Sequence, residues 1–205
     1  MPKTERAQQK RDAIVKAASV LFLERGFNGV SLDDVLQVTG GSKSTLYSYF
    51  GSKDGLFEAV ILRICDEALI PLRALELHHL PLREALTRMG VSVLNVLSEP
   101  VAVEAYRLAI SEAPRHPEAA RAYYEAAPNV AAGILATYLA ERQAAGELRG
   151  DLGEPRRLAS LFIDSLVHNL LMKALLGIAP VLRRDEDDPF VRDAVEAFMH
   201  GLVRG

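Results

Sequence analysis

Residues 40–53, Gly-Gly-Ser-Lys-Ser-Thr-Leu-Tyr-Ser-Tyr-Phe-Gly-Ser-Lys, are the stretch whose residue types and spacing specify a chemistry. A two-glycine turn leads into a short segment whose polar positions are small hydroxyls, lysines and tyrosines, with no carboxylate, histidine or cysteine. Bond-making catalysis needs one of those missing groups. The groups present contact phosphate oxygens and base edges when a rigid helix holds them.

Catalytic chemistry finds no footing elsewhere in the chain. The histidines are His78, His79, His116, His168 and His200, and none pairs with another at a metal-site spacing. There is no Gly-rich phosphate loop and no nucleophile elbow. Asp164 and His168 stand four residues apart and read as a satisfied polar pair inside a helical bundle. We therefore expect no enzyme, no metal and no cofactor. The lone Cys65 excludes an internal disulfide and fits a reducing cytoplasm, with a buried, inert thiol as its default role.

The elements that must hold residues 40–53 in place are explicit. Ile14, Ala18, Leu21 and Phe22 form one apolar helical stripe, in a helix from about residue 6 to Arg25 that stops at Gly26. Ser31 then caps a second helix with Asp34 at its third position, in the manner of a capping box, and Leu32, Val35 and Leu36 form its buried side. Gly40-Gly41 break that helix. Ser42 caps a third, in which Leu46 and Phe50 point inward and Tyr47 sits half in and half out. A tight turn between the second and third helices predicts a helix-turn-helix, whose later helix enters the major groove. Pattern alone leaves open a generic three-helix bundle with a solvated polar face.

Residues 26–57 resemble the DNA-binding domain of the TetR/AcrR family of bacterial transcriptional regulators. The resemblance rests on Gly26-Phe27, Ser31, Asp34, Gly40, Ser42, Thr45-Leu46-Tyr47, Tyr49-Phe50, Ser52-Lys53-Asp54 and Leu56-Phe57. Leu36 and Gly41 depart from the family's usual Ala and Val, and the larger residue at 36 is expected to fill space vacated at 41. The resemblance implies that Ser31, Ser42 and Lys53 contact phosphates, and that Tyr47 and Tyr49 add phosphate contacts. It implies base-edge contacts for Lys43, Ser44 and Thr45, although Lys43 serves equally well as a phosphate ligand. Further on, Arg107-Leu108-Ala109-Ile110-Ser111-Glu112, Arg115, Pro117-Glu118 and Tyr124 resemble the effector domain of AefR-like regulators.

Charge agrees in sign. Residues 1–54 hold eight Lys/Arg against six Asp/Glu, and the remainder sixteen against twenty-one, so one end is positive within a chain of net −3. Lys3, Arg6, Lys10 and Arg11 read as a basic arm able to reach the minor groove, or as a merely soluble terminus. No signal peptide is expected, because Lys16 interrupts the apolar stretch near residues 13–23.

The 205 residues suffice for a reading head over 1–52 and an effector-binding and dimerisation domain over 53–205, in an all-α fold. Beyond residue 53 the patterns predict helices over about 53–75 with Pro71 ending or kinking it, then 81–97, 101–112, 117–145 interrupted at Pro128, 155–176 and 189–203. The helix over 158–176 is apolar nearly all round, so it must bury more than one face. A membrane partner is not expected, since no uncharged run there approaches ~20 residues. The last helix offers Val191, Ala194, Val195, Phe198 and Leu202 at helical spacing. In the resembled family two such helices per subunit build a dimer through a four-helix bundle. Tyr106, Tyr123, His168 and Met172 are the candidate lining of an effector pocket for an apolar or aromatic small molecule. The expected function is a cytoplasmic, homodimeric, ligand-responsive repressor that binds palindromic double-stranded operator DNA. The alternatives are an activator, and a helical small-molecule or protein-binding module without DNA binding.

Overall fold

The computed structural model describes residues 3–149 and 151–202, with the side chains of Lys3, Thr4 and Leu202 outside the description. The expectations placed on Gly150 and Val203, and on the Lys3 and Leu202 side chains, lie outside the described residues. All regular structure among them is helical: α1 (Lys3–Arg25), α2 (Leu32–Thr39), α3 (Lys43–Phe50), α4 (Lys53–Ala68), α5 (Ile70–Arg73), α6 (Leu82–Ser98), α7 (Pro100–Glu112), α8 (Pro117–Ala126), α9 (Pro128–Ala144), α10 (Pro155–Leu175) and α11 (Pro189–Leu202). Prolines punctuate this order as the sequence requires. Pro71 sits in the first turn of α5, where its missing N–H costs nothing, and Pro128 does the same for α9. The long helices expected over 53–75 and 117–145 are thus each two helices. Lys3–Arg11, expected as an arm, belongs to α1.

The chain forms two compact units. The first comprises residues 1–67 and 104–126, and so joins α1–α4 to most of α7 and to α8. Its centre is built from the stripe predicted on α1: Ile14, Ala18 and Phe22 are buried with Phe27, Val35, Leu46, Leu56 and Phe57. Phe22, Phe27 and Phe57 meet as a triangle with ring centroids 5.1–5.8 Å apart. Edge-to-face and offset rings at such distances add to the area they bury. The functional boundary expected after residue 52 is not a boundary of compactness, because α4 shares its core with α1.

The second unit comprises residues 68–103 and 127–205. Leu86, Met89, Leu94, Leu135, Tyr138, Leu139, Phe162, Leu166 and Val191 fill its core. The Tyr138 hydroxyl is satisfied by donating to the Leu80 carbonyl at 2.8 Å. Gly90 on α6 is there for a close approach: a Cβ at that position would stand 2.9 Å from Leu166 Cδ1 of α10 and 3.4 Å from Val191 Cγ1 of α11. Asn95 ties the segment before α11 to α6, donating to the Arg184 carbonyl at 3.0 Å and accepting from the Arg184 amide at 2.8 Å.

Two expectations about this unit need correction. The apolar stripe of α11 does not face outward, since Val191 and Val195 are fully buried and the Phe198 ring packs 5.0 Å from Phe162. Asp164 and His168 are exposed, not enclosed in a bundle. What α10 leaves open mixes polar and apolar side chains, with Leu161 and Met172 exposed along it and Leu176 exposed at its C-cap. By length and composition α10 is also long and apolar enough to cross a membrane, a test that a core helix passes equally. Its Leu158, Ala159, Phe162 and Leu166 are nevertheless buried in the unit's core.

Candidate nucleic-acid interface

Local chemistry fixes α2 and α3 before any tertiary contact does. At Ser31 both halves of the capping box form: Oγ accepts from the Asp34 amide at 3.1 Å, and the Ser31 amide donates to Asp34 Oδ2 at 2.7 Å. These bonds from the Ser31 hydroxyl and amide, helped by Arg25 and Lys53, hold the Asp34 carboxyl below the usual carboxylate range. Ser42 caps α3 by accepting from the Thr45 amide at 3.3 Å, with the Ser44 and Thr45 hydroxyls each 3.0 Å from its own.

Between the caps the chain turns through Gly40 at φ +65° and Gly41 at φ +102°. An L-residue with a Cβ rarely adopts the second value. A Cβ on Gly41 would meet the Lys10 ammonium at 3.2 Å, so Lys10 is what faces this position and not a repacked Leu36. Leu46 pins α3 to the core, while Lys43, Ser44, Tyr47 and Ser48 are exposed. Phe50 is only half-buried, beneath the Arg11 guanidinium at 5.2 Å.

Ser31, Asp33, Asp34, Lys43, Tyr47 and Lys53 line one open groove of about 550 Å³. Four of the eight predicted DNA-binding residues therefore converge: Ser31, Lys43, Tyr47 and Lys53. Ser42, Ser44 and Thr45 gather at the α3 amino terminus, and Tyr49 stands with its ring 6.0 Å from Phe50. Tyr47 is 52% exposed, so its ring is offered outward more fully than the half-buried placement expected.

Each lysine has a partner that spacing did not reveal. Lys43 Nζ is 2.8 Å from Asp33 Oδ2, and that bond and charge raise the lysine's pKa. Lys53 Nζ stands 4.1 Å over the Phe27 ring. Partial burial lowers the Lys53 pKa, opposed by the charges of Asp54, Glu112 and Asp34. Asp33 and Phe27 are thus functional neighbours missed from sequence. Gly26-Phe27 marked only a helix end, and nothing in a linear pattern pairs 33 with 43.

The predicted effector residues are not assembled as a group within either unit. Tyr106 and Tyr123 do meet in the first unit, ring centroids 5.4 Å apart and nearly perpendicular. Burial, with the Cys65 and Tyr106 charges, pushes the Tyr123 phenol up. Cys65 is buried as expected. His168 and Met172 are exposed on α10 of the second unit. Among the described residues no group of three or more His, Cys, Asp or Glu is placed to hold a metal ion.

Comparison with known proteins decides what this reading head serves. Residues 14–60 match the family model of bacterial regulatory proteins, tetR family, and residues 84–201 match that of the AefR-like transcriptional repressor, C-terminal domain. The chain belongs to the TetR family. Both models describe transcriptional regulators, not enzymes. It is 40% identical to the HTH-type transcriptional regulator RutR of Escherichia coli strain K12 over 73 residues, 36% of this chain and 34% of that protein. It is 43% identical to the HTH-type transcriptional repressor ComR of the same strain over 56 residues, 27% of each. The chain thus spans about a third or less of the length of these curated relatives. Among solved structures, the Flavonoid-responsive Regulator FrrA is 30% identical with a TM-score of 0.79, over 96% of this chain and 98% of that one. A TetR-family regulator from Mesorhizobium loti MAFF303099 shares the fold, with a TM-score of 0.82 at 24% identity over 97% and 99% of the two chains.

Proposed function

We propose that this TetR-family regulator is a ligand-responsive repressor, acting as a homodimer on a palindromic operator. The observation that carries the reading is the groove joining Ser31, Lys43, Tyr47 and Lys53 beside an exposed α3. A helix amino terminus with exposed serine hydroxyls and flanking cations suits one half-site. Lys53, Ser31 and Ser42 fix the docking register on phosphates, with Tyr47 and Tyr49 as further phosphate contacts. Lys43, Ser44 and Thr45 reach base edges. A twofold dimer offers two such helices to half-sites about one helical turn apart, ~34 Å. The exposed apolar side chains of α10 supply the dimer surface, and residues 53–205 carry dimerisation and effector binding. Repression is the role of the AefR-like repressors that residues 84–201 match and of the repressor ComR. DNA as the target puts the protein in the cytoplasm.

The effector is a small apolar or aromatic molecule, taken up beside the Tyr106–Tyr123 pair and Cys65. Two perpendicular aromatic rings, with the buried Cys65 close enough to act on Tyr123, favour such a ligand, and FrrA, named as flavonoid-responsive, has the same fold at 30% identity. Binding favours a spacing of the reading heads that no longer fits adjacent grooves, which takes a differential affinity of roughly 1–3 kcal/mol. Footprinting on DNA upstream of the protein's own gene, with and without a panel of flavonoids, tests the whole reading. Two protected half-sites about 10 bp apart, lost on adding a flavonoid, are expected. Protection of a single half-site refutes the dimeric operator, and protection that strengthens with flavonoid points to activation.

A further inference from the structure

Glu112, at the end of α7, is a buried carboxylate at 8% exposure, and its Oε2 has no hydrogen-bond partner. An acceptor in that state is costly unless a donor reaches it. The nearest candidate is His116 Nε2 at 3.9 Å, one helical turn further along and too distant for a hydrogen bond. The other ring nitrogen, Nδ1, is 2.5 Å from Asp54 Oδ1 in the first turn of α4. The imidazole itself is wedged against aromatic carbon, its centroid 3.9 Å from that of Phe27 and 6.0 Å from that of Phe57. The same Phe27 ring carries the Lys53 ammonium. All these residues belong to the first unit.

A neutral imidazole has one N–H. Given to Asp54, it leaves the Nε2 lone pair facing the orphaned Glu112 oxygen, two acceptors with nothing to share. An imidazolium carries an N–H toward each carboxylate, so that closing the 3.9 Å gap to Glu112 completes the chain Asp54–His116–Glu112. Without that proton, Asp54, Glu112 and Lys53 sum to −1; with it, the cluster is neutral. Burial lowers the Lys53 pKa, and the charges of Asp54, Glu112 and Asp34 oppose that lowering.

We infer that His116 is a positioning residue whose protonation pairs off Asp54 and Glu112, frees Lys53 for the operator and makes DNA affinity rise as pH falls. The inference rests on Lys53 being a phosphate contact. The test is operator binding by fluorescence anisotropy at pH 8, 7 and 6 and fixed ionic strength, with the full chain. The wild type gains about tenfold in affinity from pH 8 to pH 6, within the limit of one proton taken up per protomer. His116→Phe keeps a ring on Phe27 but cannot take a proton, so its profile is flat to within about twofold, whatever its absolute affinity. Should Phe fail to fold, as judged by circular dichroism, His116→Gln serves the same purpose. Glu112→Gln shifts the His116 ring-proton titration read by NMR without DNA. A non-titrating variant at 116 that keeps the wild-type pH slope, or an NMR titration unmoved by Glu112→Gln, overturns the inference. The underlying contact is tested apart by Lys53→Ala, which should flatten the salt slope by about one per protomer. An unchanged salt slope removes Lys53 from the backbone, and the inference with it.

Discussion

At the residue scale the interface is held in check by its own carboxylates. Asp33 grips Lys43 at 2.8 Å, and that cation must leave this partner or share it when it meets DNA. Replacing Asp33 with Asn should therefore tighten binding to every sequence and steepen the dependence of log K on log salt by about one per half-site. A salt titration on operator and random duplexes reads both effects, and a gain confined to the operator would make Lys43 a base reader in its own right. Tyr47 behaves differently because its ring is more than half exposed. Tyr47→Phe should lose about one hydrogen bond per half-site, roughly 0.5–1.5 kcal/mol. Tyr47→Ala should lose more affinity, yet its stability should stay within about 0.5 kcal/mol of wild type, as for other surface changes. Anisotropy beside a thermal melt separates the two, and a large drop in melting temperature for Ala would place the ring in the core.

At the scale of elements, α2 depends on the reciprocal cap at Ser31. Ser31→Ala removes it and should cost about 1 kcal/mol in a denaturant melt at neutral pH. The Asp34 carboxyl is depressed by this cap, so its share of the stability is present above the ordinary carboxylate pKa and is lost as pH falls through the lowered one. The gap between Ser31→Ala and wild type should accordingly narrow below about pH 4, and a gap constant with pH would mean that Asp34 contributes nothing through Ser31. This is also the scale at which the sequence was most legible. Ser31 with Asp34, Ser42 after two glycines, and Pro71, Pro117, Pro128 and Pro155 each act through neighbours within four residues, and the helices begin or break where those residues stand. The partners Asp33–Lys43 and Phe27–Lys53 come from different elements, and no local period encodes them. The α11 stripe was legible as apolar but not as inward, because the partners that bury Val191 and Val195 lie on other elements. Apolar spacing on α10 likewise does not say which face the chain covers itself.

For the whole molecule, the division of α10 and α11 into inward and outward faces decides which substitution probes assembly. Phe198 packs on Phe162, so Phe198→Glu attacks the fold: burying an unpaired carboxylate there should cost several kcal/mol and lower the melting temperature at any concentration. Leu161 is 55% exposed on α10, so Leu161→Glu should leave the circular dichroism spectrum intact while light scattering reports half the mass. A folded Leu161→Glu dimer would move the interface elsewhere. The uncovered leucine and methionine side chains of α10 also bear on how much protein a cell must make. If a second copy covers them, the species competent for two half-sites forms in proportion to the square of the free chain at low abundance. Halving expression then lowers operator occupancy about fourfold rather than twofold, and a gene under this regulator responds to its dosage as a threshold.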